Sequence, residues 1–85
     1  MPGLIFTIRV DNEHELTNQI LARQFDEIGR MRVEAHVLRT GRTIIGPHWI
    51  SEFRVPWERC LDFIKAVVEA KKRDRVKIVG VRGWE

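Results

Sequence analysis

Apolar and polar residues alternate along the first part of the chain. The even-numbered positions of residues 4–10 are all apolar, and the odd-numbered positions are mixed. Successive side chains of a strand point to opposite faces, so this period predicts a strand with one buried face. The predicted buried face carries Leu4, Phe6, Ile8 and Val10, and the other face carries Ile5, Thr7 and Arg9.

A helical period follows this first strand. Asn12 and Glu15 have the three-residue spacing of a capping box, which marks a helix N-terminus. Gly29 can adopt the left-handed conformation that ends many helices. We therefore expect a helix that runs to Ile28. Its apolar side carries Leu16, Ile20, Leu21, Phe25 and Ile28.

Two further alternating stretches lie on either side of a turn signal at Gly41-Arg42. They predict a hairpin with residues 41–48 at its tip. The first stretch, residues 31–40, places Met31, Val33, Ala35 and Val37 on one face and Arg32, Glu34, His36 and Leu38 on the other. The second places Trp49, Ser51, Phe53 and Val55 on one face and Ile50, Glu52 and Arg54 on the other.

The second helical period covers about residues 56–73, and residues 76–81 then form a short last strand. Pro56 suits the first helical position, where a missing N–H costs nothing. One stripe of this helix is apolar and is predicted to face the core: Trp57, Cys60, Leu61, Ile64, Val67 and Val68. The opposite stripe is charged: Glu58, Asp62, Lys65, Glu69 and Lys72.

The predicted order of elements is therefore β-α-β-β-α-β in a single domain, residues 1–85. With right-handed crossovers, four strands form one antiparallel sheet and both helices pack on one of its faces. The predicted fold class is α+β, a ferredoxin-like sandwich.

The face of this sheet without helices is predicted to be charged, and Phe6 and Phe53 alternate away from it. The base-stacking platform of an RNA-recognition motif is therefore not expected. Two interpretations remain open, a solvated face with cross-strand Glu–Arg pairs and a surface that contacts nucleic acid or an acidic partner. The face carries Thr7, Arg9, Arg32, Glu34, His36, Glu52, Arg54 and Lys77, and the candidate contact residues are Arg9, Arg32, Arg39, Arg42 and Arg54.

The hairpin tip, GRTIIGPHW, places much apolar surface in a stretch with loop-forming residues. These side chains either pack at the end of the core, dock on a partner or a second subunit, or line a small-ligand pocket. Pro47 cannot donate to a strand ladder and argues for an edge or a bend. The candidate partner-binding residues are Ile44, Ile45, His48 and Trp49.

Composition narrows the function classes. Fifteen Lys and Arg against twelve Asp and Glu give a net charge of +3, a mild attraction to polyanions. Cys60 is the single cysteine, so no intrachain disulfide forms. No apolar run approaches the ~20 residues of a membrane span, and the first residues lack the features of a signal peptide, so we expect a cytoplasmic protein without a membrane partner. Neither a phosphate loop nor a metal or catalytic spacing is present, so we expect no enzyme, cofactor or metal.

The stretch VDNEHELTNQILARQFDEIGRMRVEAHV resembles the start of the ACT domain, a small regulatory βαββαβ module. In that family a strand is followed by Asp-x-Pro-Gly-x-Leu, a helix, a glycine and an alternating second strand. Asp11, Leu16 and Gly29 match this pattern, and Glu13 and His14 stand where the family has Pro-Gly. The resemblance implies a dimeric regulatory role and, for the family's usual ligand, amino-acid binding.

Three functions follow as hypotheses. The first is a non-enzymatic module that acts by protein–protein contact. It would be a homodimer, or an inhibitor or adaptor that docks on a larger protein such as one that handles nucleic acid. The second is a basic protein that contacts the phosphate backbone of nucleic acid. The third is an amino-acid sensor of the ACT kind.

Overall fold

The computed structural model describes residues 2–11, 15–34, 36–37, 40–41 and 43–85, with the backbone alone for 36–37 and 43–45. The strands are β1 (Gly3–Asp11), β2 (Asp26–Val33), β3 (His36–Val37), β4 (Thr43–Ile45), β5 (His48–Pro56) and β6 (Arg75–Trp84). The α-helices are α1 (Leu16–Gln24) and α2 (Cys60–Ala70), and a 3-10 turn, Trp57–Arg59, precedes α2.

The long strands form one four-stranded antiparallel sheet in the order β2-β5-β1-β6, and β3 and β4 form a separate two-stranded sheet. The predicted α+β class with a four-stranded antiparallel sheet and two helices is confirmed. Neither helix in the described part of the chain is long and apolar enough to cross a membrane.

The core lies on one face of the two central strands, as the alternation in the sequence predicts. Phe6, Ile8 and Val10 of β1 are buried, and so are Phe53 and Val55 of β5. Leu21 of α1 and Val67 of α2 pack on the same cluster. Both helices therefore cover a single face of the sheet.

An aromatic cluster fixes the position of α2 on this face. The Phe63 ring stacks on Phe6 with centroids 4.6 Å apart and meets the edge of Phe25 at 5.0 Å. Phe53 lies 5.5 Å from the same ring. Phe63 is fully buried. Aromatic contacts of this kind add to the free energy of burying large rings, so Phe63 is the residue through which α2 is anchored.

The first helix is shorter than predicted. It ends at Gln24, and Phe25 already has an extended backbone with φ −133° and ψ 158°. Gly29 lies inside β2 and does not cap the helix. Asn12 lies outside the described residues, while Glu15 takes the N-cap position without a side-chain capping bond. Phe25 enters the core after the helix has ended, so its apolar character does not indicate a longer helix.

The second long strand begins five residues earlier than predicted, and its faces are reversed. Met31 lies directly opposite Ile50, and Arg32 opposite Trp49. Directly opposed residues share a face, so Met31 is on the helix-free face and Arg32 on the helix-bearing one. An irregularity at Ile28 adds one residue to the strand. One extra residue exchanges the faces of all residues after it.

The boundaries of the last elements also differ from the prediction. Pro56 is the last residue of β5, is paired with Gly3, and has an extended ψ of 154°. It therefore precedes the helical segment and does not begin it. Residues 71–73 form a turn after α2. The last strand extends to Trp84, three residues beyond the predicted end.

Candidate interaction surface

The apolar stripe predicted for the second helix does not face the core as a whole. Cys60 and Val67 pack inward, as predicted. The other four residues point outward, which corrects the prediction: Trp57 is 49% exposed, Leu61 68%, Ile64 40% and Val68 54%. We refer to these four residues, three on α2 and Trp57 on the 3-10 turn before it, as the α2 ridge.

The cause is a second apolar stripe on the same helix. Phe63, Val67 and Ala70 recur at helical spacing and are all buried. Periodicity identifies both stripes but does not say which one faces the sheet. The large Phe63 ring decides it, because it fills the space between three other phenylalanines. The smaller aliphatic residues of the α2 ridge remain outside.

The α2 ridge lies on the side of the helix away from α1. A groove of about 430 Å³ separates the two helices. Its α2 wall includes Asp62, Ala66 and Glu69, which are on the other side of the helix from Leu61 and Val68. The apolar ridge therefore faces neither the core nor the neighbouring helix.

The predicted partner-binding residues of the hairpin tip are placed only in part. His48 is buried, and its Nδ1 lies 2.8 Å from the carbonyl oxygen of Gly46. Trp49 is half-buried and packs against the core, and its Nε1 has no hydrogen-bond partner among the described residues. The backbone of Ile44 and Ile45 belongs to β4. Burial of His48 leaves little of its side chain for contact with a partner.

The predicted contact arginines are held in ion pairs wherever the structure describes them. Arg9 Nε lies 3.0 Å from Asp11 Oδ1. Arg32 Nε lies 3.2 Å from Glu34 Oε1, and its guanidinium lies over the Trp49 ring at 5.4 Å. Arg39 and Arg42 lie outside the described residues. The prediction that Arg32 belongs to the helix-free face is wrong, for the reason given for β2.

Arg54 does lie on the helix-free face, beside an aromatic residue that the sequence did not single out. Its Nη2 lies 2.8 Å from Asp26 Oδ2, and its guanidinium lies 4.9 Å from the Trp84 ring centroid. Arg82 pairs with Glu52 at 3.1 Å on the same face. Trp84 is not among the predicted site residues because it lies beyond Val81, the predicted end of the last strand. This part of the face matches the solvated, paired interpretation.

A cationic corner lies at one end of β1 and β6. A cavity of about 430 Å³ there is lined by Arg9, Asp11, Lys71, Asp74, Arg75, Val76 and Lys77. Arg9 is paired with Asp11. Asp74 is bonded to Thr17 and paired with Arg73. Lys71, Arg75 and Lys77 have no ion pair with any described residue. These three cations are not in the predicted contact set.

Arg30 joins the start of α1 to β2. It contacts Glu15 at 2.5 Å and Glu27 at 2.9 Å. Burial by itself would lower the pKa of the Arg30 guanidinium, but the bonds to Glu27 and Glu15 outweigh it and the pKa is raised. This arginine is a structural cation. In the described ranges, no three His, Cys, Asp or Glu side chains are grouped so that they would hold a metal ion.

Comparison with known protein families, with curated proteins and with solved structures finds no match for this chain. The ACT resemblance also loses one of its three residues, because Gly29 lies within β2 and not at a helix end. Asp11 does end β1, and Leu16 begins α1.

Proposed function

We propose that this chain is a non-enzymatic interaction module that binds protein through the α2 ridge. The observation that carries the proposal is the exposure of three large apolar side chains on α2 and of Trp57 on the 3-10 turn before it, while α2 is already anchored by its other face. Single exposed apolar residues are common on protein surfaces. A contiguous line of them is a feature of interaction sites.

The proposed fold family is the ferredoxin-like sandwich. Its support is the alternation of long strands and helices, β1-α1-β2-β5-α2-β6, together with the sheet order β2-β5-β1-β6. The short β3–β4 hairpin is an insertion between the second and third long strands. In this arrangement the outer side of α2 is open to a partner, since α2 has α1 on one side only.

The proposed function is tested by measuring how strongly the wild type and a Leu61→Glu variant bind other protein molecules. Leu61 is the most exposed ridge residue, so a glutamate there leaves the fold intact. Asp62→Ala, on the groove side of the same helix, is the matched control. Association with itself and with proteins of the source cell is measured for each. Loss in Leu61→Glu alone supports the proposal, and equal association in all three overturns it.

Nucleic acid is the second candidate partner, and the cationic corner favours it. Lys71, Arg75 and Lys77 are exposed and line one cavity. Lys and Arg side chains that are not held by acids are free to contact phosphates. The ion-paired arginines Arg9 and Arg54 contribute less to such binding, because their carboxylate partners compete with a phosphate.

A further inference from the structure

The α2 ridge has the spacing of a seam between two paired helices. Its residues are 4, 3 and 4 positions apart, Trp57, Leu61, Ile64 and Val68. This is the alternating spacing of the a and d positions of a coiled coil, which keep one narrow stripe facing a partner helix. At 1.5 Å per residue the α-helical part of the stripe, from Leu61 to Val68, is about 10 Å long, and Trp57 extends it by about another turn. The stripe fits another helix of similar length better than it fits a flat surface.

Two charged residues flank one side of this stripe, and neither is in an ion pair with the part of the chain that the structure describes. Glu58 and Lys65 are exposed, are seven residues apart, and make no ion pair with any described residue. Neighbouring charged residues are already in ion pairs within the chain. Arg59 pairs with Asp62, and Lys72 pairs with Glu69. One unpaired acid and one unpaired base therefore stand beside the same apolar line.

We infer that the partner of the α2 ridge is a second copy of this chain, with the two α2 helices antiparallel; this inference rests on the proposed function. A two-fold axis between Leu61 and Ile64 sets Leu61 against Ile64 of the second copy and Trp57 against its Val68. It also brings each Glu58, which lies in the 3-10 turn, within about 4 Å, along the helix axis, of Lys65 of the other copy. A self-complementary surface of this kind is what a two-fold dimer requires.

The charges select the antiparallel orientation. In a parallel pair the side of the stripe that carries Glu58 and Lys65 would face the opposite side of the second helix, where Cys60 and Val67 lie, so neither charge would meet an opposite charge. In the antiparallel pair the two charged sides face each other. This pair forms two equivalent Glu58–Lys65 contacts, one on each side of the axis.

The neighbouring edge strand favours helix pairing over strand pairing. β6 has an irregularity at Val79 and exposed charges at Arg75, Lys77 and Arg82. Bulges and charged side chains are features that keep edge strands from pairing with another sheet. Val81 lies directly opposite Phe6, on the helix-bearing face, and is 52% exposed. It is a further exposed apolar side chain at this edge, on the face that carries α2.

The ridge has four partly exposed residues, far fewer than the roughly 20–30 residues a side of a standard stable interface. We therefore expect a dimer that dissociates on dilution. Sedimentation velocity over a concentration series measures the dissociation constant. Glu58→Lys and Lys65→Glu should each weaken the dimer at least about fivefold, through two lost pairs and new repulsion. The double variant should return to within about twofold of the wild type, because reversed pairs re-form.

Asp62→Lys is the control for charge alone and should leave the dissociation constant unchanged. A wild type that remains monomeric throughout the series overturns the dimer, and so does a double variant no tighter than the single variants. The proposed function has a separate readout. If the wild type is monomeric but binds another protein that Leu61→Glu does not bind, the dimer fails and the module stands. If Leu61→Glu changes no association at all, both fail.

Discussion

The Phe63 ring of α2 stacks on the Phe6 ring of β1, with centroids 4.6 Å apart and ring planes 26° from parallel. This contact sets the rotation of α2 about its own axis. With Phe63 turned to the sheet, Leu61 and Ile64 are turned outward. The exposed ridge, the proposed module and the proposed dimer all follow from this one orientation.

A buried hydrogen bond between Ser51 and Asn18 joins the sheet to α1. Ser51 Oγ donates to Asn18 Oδ1 at 2.9 Å, and both residues are fully buried. Ser51→Ala leaves the Asn18 carbonyl oxygen without this donor, so we expect a loss of about 1–3 kcal/mol in the free energy of unfolding. Urea denaturation measures it.

The matching double variant, Ser51→Ala with Asn18→Leu, removes both polar groups from the core. Its cost should be smaller than the sum of the two single variants by about 1 kcal/mol or more, since neither partner is left unpaired. Strict additivity would show that the two side chains are not coupled.

Gly3 allows β1 to approach the end of β5 closely. A Cβ built on Gly3 would lie 2.1 Å from the carbonyl oxygen of Val55, a backbone atom. Gly3→Ala should therefore lower the free energy of unfolding by about 1–3 kcal/mol, because the strands must separate. At Gly80 the nearest atoms belong to the Thr7 side chain at 3.5 Å, an ordinary contact. Gly80→Ala should stay within about 0.5 kcal/mol of the wild type. Equal thermal stability of the two variants would contradict the register at Gly3.

Trp84 should stabilise the end of the last strand through Arg54. The guanidinium lies 4.9 Å from the ring centroid and is held on its other side by Asp26. Trp84→Ala should cost about 0.5–1 kcal/mol for the cation–π contact, in addition to the lost packing. Trp84→Phe should recover part of it. If Arg54→Met lowers the free energy of unfolding by the same amount in the Trp84→Ala variant as in the wild type, the cation–π contact contributes nothing to stability.

Nucleic-acid binding, if the cationic corner carries it, should depend on the corner and on salt. Fluorescence anisotropy with a random duplex at low and near-physiological salt measures the affinity. Three phosphate contacts give a slope of log affinity against log salt of roughly −2.7. Lys71→Glu with Lys77→Glu should flatten that slope far more than Arg23→Glu with Arg82→Glu, which change the net charge equally and lie outside the corner. Identical losses in the two double variants would remove this second candidate.

The sequence predicts the central half of the fold because β1 and β5 alternate cleanly. Phe6, Ile8 and Val10 and the facing residues Phe53 and Val55 are buried as their period requires. The edge strand β2 was displaced in the prediction because its inward positions include Glu27 and Arg30, which bond to each other and carry no apolar signal. The added residue at Ile28 depends on how β2 pairs with β5. The alternation within one strand does not show that pairing.

The sequence does not predict that the α2 ridge is exposed, and the reason is different. Helix α2 has two apolar stripes, and the residues of the ridge fit a core-facing stripe as well as Val67 does. Only the three-dimensional cluster of Phe6, Phe25 and Phe53 around Phe63 shows which stripe is buried. Four aromatic rings at separations of 10 to 57 residues along the chain meet there. The spacing of apolar residues within one helix does not indicate such long-range contacts.

The orientation of α2 is tested most directly by the unfolding free energies of two variants, Phe63→Ala and Leu61→Ala, at concentrations where both are monomeric. The two residues are two positions apart on one helix and both become alanine, so helix propensity is nearly matched. Phe63→Ala should cost about 3–5 kcal/mol, as large-to-small changes in a core do, and Leu61→Ala should stay within about 0.5 kcal/mol of the wild type. Equal costs, or a larger cost for Leu61→Ala, would show that the ridge faces the core and would contradict the proposed interaction surface.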